Sequence, residues 1–133
     1  MGAVTAPLTS FLPDRRGLDP TECTFTSVEL ALIAGCSYRM VDYWTRAGHL
    51  VPIVPSHGSG TQRIFDYPQV LRARLLTLAS AARIPPSALD IEALFDTGNQ
   101  ILGAGLTIEL DVAELTRTTD RMIAEILDVR RTG

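Results

Sequence analysis

The 133-residue chain contains no lysine: all twelve of its basic residues are arginine. A guanidinium forks onto phosphate oxygens and guanine edges in a way an ammonium point charge cannot. Cysteine and histidine are nearly absent. Cys23 and Cys36 are too few for a disulfide framework, and with only His49 and His57 beside them they form no ligand cluster of metal-site spacing. Both are read as reduced, inert thiols. Neither histidine stands in a context that marks a base or a ligand, so no enzyme is expected, and no catalytic residue, metal ligand or cofactor is assigned. No apolar run approaches the ~20 residues of a membrane helix. The first residues, MGAVTAPLTSFLPDRRG, lack the charged start and apolar stretch of a secretory signal. A cytoplasmic protein with no membrane association is the expectation.

What is present is unevenly placed. The net charge is −3, yet residues 23–83 hold six arginines against Glu29, Asp42 and Asp66, a local +3. Residues 84–133 hold four arginines against nine acids, a local −5. A basic half joined to an acidic half suggests a surface for a polyanion on the first and for another protein on the second.

Residues 1–22, with Pro7, Pro13 and Pro20 and no apolar period, read as a disordered or loosely attached tail. Thr26 and Glu29 then form a capping-box pattern ahead of Val28, Leu30, Ala31 and Ile33, predicting a helix over 27–34 closed by Gly35. Ser37 is the N-cap candidate of a second helix, 38–47, closed by Gly48. Two short helices joined by three residues around a glycine make a helix-turn-helix. Val41 and Trp44, three apart, share the inward face with Met40 beside them, which turns Tyr43 outward by ~100°. "HLVPIVP" and "QRIFDY" flank the turn-rich "SHGSGT" and predict a β-hairpin wing.

Asp66 with Gln69 repeats the capping logic before a third helix, about 67–82, with Val70, Leu71, Leu75, Leu78 and Ala82 as its apolar stripe. Pro85 and Pro86 signal a fourth helix, about 86–96, stopped by Gly98. Two short strands are expected around Gly103-Ala104-Gly105. Asp111 and Glu114 cap a last helix to about Val129, whose Val112, Leu115, Thr119, Met122, Ile126 and Val129 keep a 3-4 spacing. That seam can dimerise the chain or fold back on its own core. The fold class is therefore mostly α with a small β-hairpin wing: a winged helix-turn-helix, then a short β-hairpin and a C-terminal helix.

The stretches "GCSYRMVDYWTRAGHLVP" and "GSGTQRIFDYPQV" resemble the helix-turn-helix and wing of the mercury-resistance-regulator (MerR) family, and "DYW" with "GSGTQR" is more similar to its actinobacterial regulators than to its metal sensors. The resemblance covers residues 24–96. It implies a dimeric transcriptional regulator on double-stranded DNA in the nucleoid, with helix 38–47 in the major groove. Carried over by position, Ser37, Tyr38 and Arg39 would meet base edges or phosphates, and Tyr43 and Arg46 the backbone. In the wing, residues 56–65, Gly58, Ser59, Gly60 and Thr61 would form the tip, where backbone N–H groups approach phosphate, and Gln62 and Arg63 on the returning strand would bind DNA, Arg63 at phosphate or the adjacent minor groove. Two positions depart from the pattern. Asp42 replaces an arginine, which removes a phosphate contact and adds local repulsion, and His49 replaces a leucine.

The expected division is a tail (1–22), a winged helix-turn-helix domain (23–97) and a dimerisation or interaction segment (98–133). With no cysteine after Cys36 and so short a segment, no thiolate metal sensor or effector domain is expected. Dimerisation falls to Val112, Leu115, Met122, Ile126 and Val129. Two other readings share the same motif: an architectural, excisionase-like DNA binder, and a winged helix used as a protein-interaction module through the acidic half.

Overall fold

The computed structural model describes residues 19–54 and 62–132, with the side chains of 130–132 excepted. Residues 55–61, which include the expected wing tip at 58–61, and nearly all of the expected tail lie outside the described residues. The order is β1 (Phe25–Thr26), α1 (Ser27–Ala34), α2 (Tyr38–Arg46), β2 (Ile64–Phe65), α3 (Tyr67–Ala81), α4 (Ile91–Thr97), β3 (Asn99–Gly103), β4 (Leu106–Glu109) and α5 (Val112–Thr132).

The helix-turn-helix forms by the local rules that predict it. Thr26 Oγ1 accepts from Glu29 N–H at 3.2 Å and Glu29 Oε1 accepts from Thr26 N–H at 3.0 Å, the reciprocal capping box of α1. Gly35 ends that helix at φ 78°, a left-handed conformation that side-chain-bearing residues rarely adopt, and donates to Ala31 O at 2.9 Å. Ser37 Oγ caps α2 by accepting from Met40 N–H. At the far end Gly48 takes φ 87°, which lets His49 N–H reach back to Trp44 O at 2.8 Å. Val41 and Trp44 are buried to 1% exposure or less and pack with Leu30, Ile33 and Phe65.

Sheet pairing differs from a simple hairpin. β2 pairs antiparallel with β1, Phe25 opposite Phe65 and Thr26 opposite Ile64. Its other edge meets the first wing segment, where Ile64 N–H donates to Val54 O and Ile53 N–H to Ile64 O. The returning wing strand is thus held on both edges, and its base is anchored to the start of α1.

Four local expectations are corrected. Asp19 caps a 3-10 turn, Pro20–Glu22, that packs on α3 and α5, so the last residues assigned to the loose tail belong to the packed structure. Asp66 makes no side-chain cap bond to α3. Pro68 has no N–H to offer, Gln69 N–H goes to the Asp66 carbonyl, and the Gln69 side chain instead accepts from Val51 N–H at 2.9 Å. The buried stripe of α3 is Val70, Ala73, Leu75, Leu76 and Ala79, with Leu78 and Ala82 exposed, because α1 and α5 both cover this helix and turn its buried face away from the predicted one. The two prolines open a 3-10 turn, Pro86–Ala88, and α4 starts only at Ile91, where Asp90 accepts from Ala93 N–H. Gln100 holds that break by accepting from Asp90 N–H and donating to Ala88 O, both at 2.7 Å.

The β3–β4 hairpin forms around Gly103-Ala104-Gly105 with a register shift between Ile101 and Gly103. After it, α5 returns across α1 and α3. Leu115, Thr119, Ile123 and Leu127, spaced by four, are buried at 4% exposure or less. The predicted 3-4 seam drifts off this line: Val112, Met122 and Ile126 are half-buried, and Val129 is exposed. Leu115, Ile123 and Leu127 join one core with Phe25, Trp44 and Leu94. Tyr67, at the start of α3, donates its hydroxyl to Asp120 Oδ1 of α5 at 2.7 Å.

Candidate nucleic-acid interface

Burying Val41 and Trp44 fixes the rotation of α2, and its opposite face is left to water. Tyr38 and Tyr43 are more than half exposed, and Arg39 and Arg46 are exposed beside them. Ser37 is exposed too, but its hydroxyl oxygen is engaged in the helix cap. Exposed aromatic and arginine side chains on a short helix, its N-terminus open to solvent, match what a phosphate backbone and base edges require.

Beside this face runs an open groove of about 440 Å³, lined by Ser27, Val28, Tyr38, Asp42, Arg46, Gln62 and Arg63. It lies where the N-terminus of α1, α2 and the returning wing strand converge. The structure thus brings Tyr38, Arg46, Gln62 and Arg63 together, with Arg39 and Tyr43 further round the same helix. Gly58, Ser59 and Thr61 lie outside the described residues.

Asp42 behaves differently from its expectation. Rather than simply opposing phosphate, it joins two cations: Oδ1 accepts from Arg63 NH1 at 2.6 Å and Oδ2 from Arg46 Nε at 3.0 Å. Repulsion is offset because both guanidiniums reach it. The hydrogen bond from Arg63 holds the Asp42 carboxyl below the usual aspartate range, with burial opposing and the Arg46 charge assisting. The two pairs are unequal. Arg46 is one helical turn away on the same helix with its side chain 74% exposed, a surface pair that solvent and salt screen strongly. Arg63 crosses from wing to helix and is only 19% exposed, so water and salt screen that contact far less.

Sequence reasoning missed three groove features. Ser27 and Val28 were read only as helix residues, and nothing in their local pattern signals that the wing strand passes beside them. The pairing of Asp42 with Arg63 spans 21 residues, so no helical spacing rule could reveal it. His49, the second departure, leaves its backbone carbonyl to accept from Arg72 Nε at 3.1 Å, which ties the end of α2 to α3. Cys36 is half-buried, and desolvation pushes its thiol up and away from reactivity. Among the described residues no group of three or more His, Cys, Asp or Glu side chains is placed to hold a metal ion, and no helix is long and apolar enough to cross a membrane.

Residues 25–87 match the family model described as MerR HTH family regulatory protein. Two curated relatives, both described as uncharacterized HTH-type transcriptional regulators, come from Mycobacterium bovis and Mycobacterium tuberculosis. Each is 40% identical to the chain over 45 residues. That stretch is 33% of this chain and 20% of the relative, so the match spans about a fifth of their length.

Proposed function

We propose that residues 25–87, which match the MerR-family regulatory model, form a DNA-binding domain of that kind, and that the protein is a regulator that reads double-stranded DNA with α2 in the major groove and sets the wing arginine on the adjoining backbone. One observation carries this reading: the exposed face of α2 and Arg63 of the wing strand border a single groove. Tyr38 and Arg39 approach base edges or phosphates from the N-terminal end of α2, and Tyr43, Arg46 and Arg63 meet phosphates. With the local charge of residues 23–83 at +3, long-range attraction to DNA is directed to this half of the chain.

The test is fluorescence anisotropy on random duplex DNA at several salt concentrations, wild type against Arg39→Ala and Arg63→Ala. Each lost phosphate contact lowers the salt slope by about 0.9 unit. If neither substitution changes affinity or slope, α2 and the wing are not the working surface.

A homodimer through α5 uses what its packing leaves outside the core, Val129 and the outer parts of Val112, Met122 and Ile126, since Leu115 is spent within the chain. Sedimentation equilibrium of wild type and Val129→Asp tests it. A protein-binding role is the second reading, favoured by Ile101 and Leu106, 76% and 59% exposed on the β3–β4 hairpin of the acidic half. It predicts no salt-dependent affinity for DNA.

A further inference from the structure

The groove holds one acid among its cations, and its position is unexpected for a surface that attracts phosphate. Asp42 lies on the helix proposed to read bases, yet its two oxygens are taken by Arg46 of the same helix and Arg63 of the wing strand. The three side chains together carry +1, where two free arginines would carry +2. Arg63 has five N–H donors, of which the Asp42 bond engages one. Its low exposure and its cross-element contact hold the guanidinium at one place relative to α2.

The geometry points to Asp42 as a specificity-determining positioning residue, an inference that rests on the DNA-binding reading above. It acts through Arg63. By fixing the wing arginine to the recognition helix, it pre-organises one register of helix and wing on the duplex, and by cancelling one charge it weakens attachment to arbitrary backbone. A loose arginine would serve any phosphate in any register. A held one serves the phosphate that lies in place when α2 is seated on its bases. Discrimination between partners rests on such built-in opposition as much as on attraction.

The experiment uses the full chain and two probes: a random duplex, and a duplex recovered by selection with the wild-type protein. Asp42→Asn keeps the side chain's size, removes its charge and leaves one neutral amide oxygen in place of the two carboxylate oxygens that hold Arg63 and Arg46, a much weaker hold. Affinity for random DNA is expected to rise, with the salt slope steeper by about one unit. The ratio of selected to random affinity is expected to fall by up to about fivefold, the ordering cost of one long side chain that the neutral amide holds far less firmly. In an Arg63→Ala background, Asp42→Asn should leave that ratio unchanged, because the residue it acts through is gone. An unaltered circular dichroism spectrum and a cooperative melt well above the assay temperature accompany each variant as a check on folding.

The inference is overturned if Asp42→Asn raises both affinities equally, which is the signature of a bare charge. It is also overturned if the ratio falls just as far without Arg63, or if selection recovers no preferred duplex from a protein that binds DNA. Absence of any salt-dependent binding by wild type overturns the DNA reading itself, a result distinct from all three.

Discussion

Replacing Ile123 by alanine tests whether α5 belongs to the core of the helix-turn-helix. Ile123 is fully buried and shares a cluster with residues of α1, α2 and α3. The substitution deletes three buried carbons, worth about 2.4 kcal/mol at ~0.8 kcal/mol each. The cavity left between packed helices adds about 1 kcal/mol, within the range of large-to-small core changes. Alanine's better helix propensity returns about 0.4 kcal/mol. A net loss of about 3 kcal/mol is expected, and in a domain of roughly a hundred residues this lowers the melting temperature by about 10 °C or more. Total stability of about 5–15 kcal/mol leaves the variant folded at room temperature. Trp44 is the sole tryptophan and is 1% exposed, so its emission follows the core directly. Thermal unfolding would be recorded by that emission at two protein concentrations a decade apart. A melting temperature within about 2 °C of wild type would refute the packing of α5 on this core. A loss that disappears at the higher concentration would show that Ile123 is buried against a second copy instead.

Tyr67→Phe removes the hydroxyl that joins α3 to Asp120 of α5 and should cost about 1–2 kcal/mol in urea unfolding, as for a hydrogen bond to a charged acceptor at a half-buried site. Desolvation first, then the Asp120 hydrogen bond and charge, raise the Tyr67 pKa above its ordinary value. The folded protein therefore keeps a proton that the unfolded chain loses near pH ~10, and stability is full below that pH and declines above it. Tyr67→Phe should flatten the alkaline decline in a pH series of melts. Thr26→Ala breaks the capping box of α1 and should cost about 1 kcal/mol, with Glu29→Gln milder because its amide oxygen can still accept. Asp42 should titrate below ordinary aspartate by carbon-detected NMR, so the stability it contributes is present above pH ~3.9 and lost as pH falls through the lower folded value. Arg63→Ala should move that titration upward, since its hydrogen bond is the leading cause.

The local elements were legible because their signals are local. A capping box at Thr26 and Glu29, an N-cap at Ser37 and glycines at 35, 48 and 98 act within four residues of themselves, and each begins or ends a helix where its chemistry dictates. The outward face of α2 was legible for a related reason: once Val41 and Trp44 are inside, helical geometry places Tyr38, Arg39, Tyr43 and Arg46 outside. The resemblance of that stretch to a known family carried the rest of the proposed interface.

Positions that answer to distant chain were not legible. Gln69 left its capping role for Val51, 18 residues away, and Arg83 closes α3 at φ 65° where a glycine would have been the readable stop. The apolar stripe of α5 had two available destinations, and spacing alone cannot choose between them. The choice fell to the surface that α1 and α3 present together, which takes Leu115, Thr119, Ile123 and Leu127 and leaves Val129 to water. Asp42 follows the same division. Its sequence position put an acid on α2, the helix proposed to read DNA, where charge alone predicts repulsion of DNA. The pairing of β2 with β1 is what carries Arg63 across to within 2.6 Å of it and turns that acid into a link between helix and wing. Sequence by itself determined α1 and α2, their ends and the side chains on the exposed face of α2, because backbone hydrogen bonding and helical period act over a few residues. Tertiary structure alone decided which of those side chains meet, because burial and ion pairing depend on surfaces that exist only after distant segments have packed.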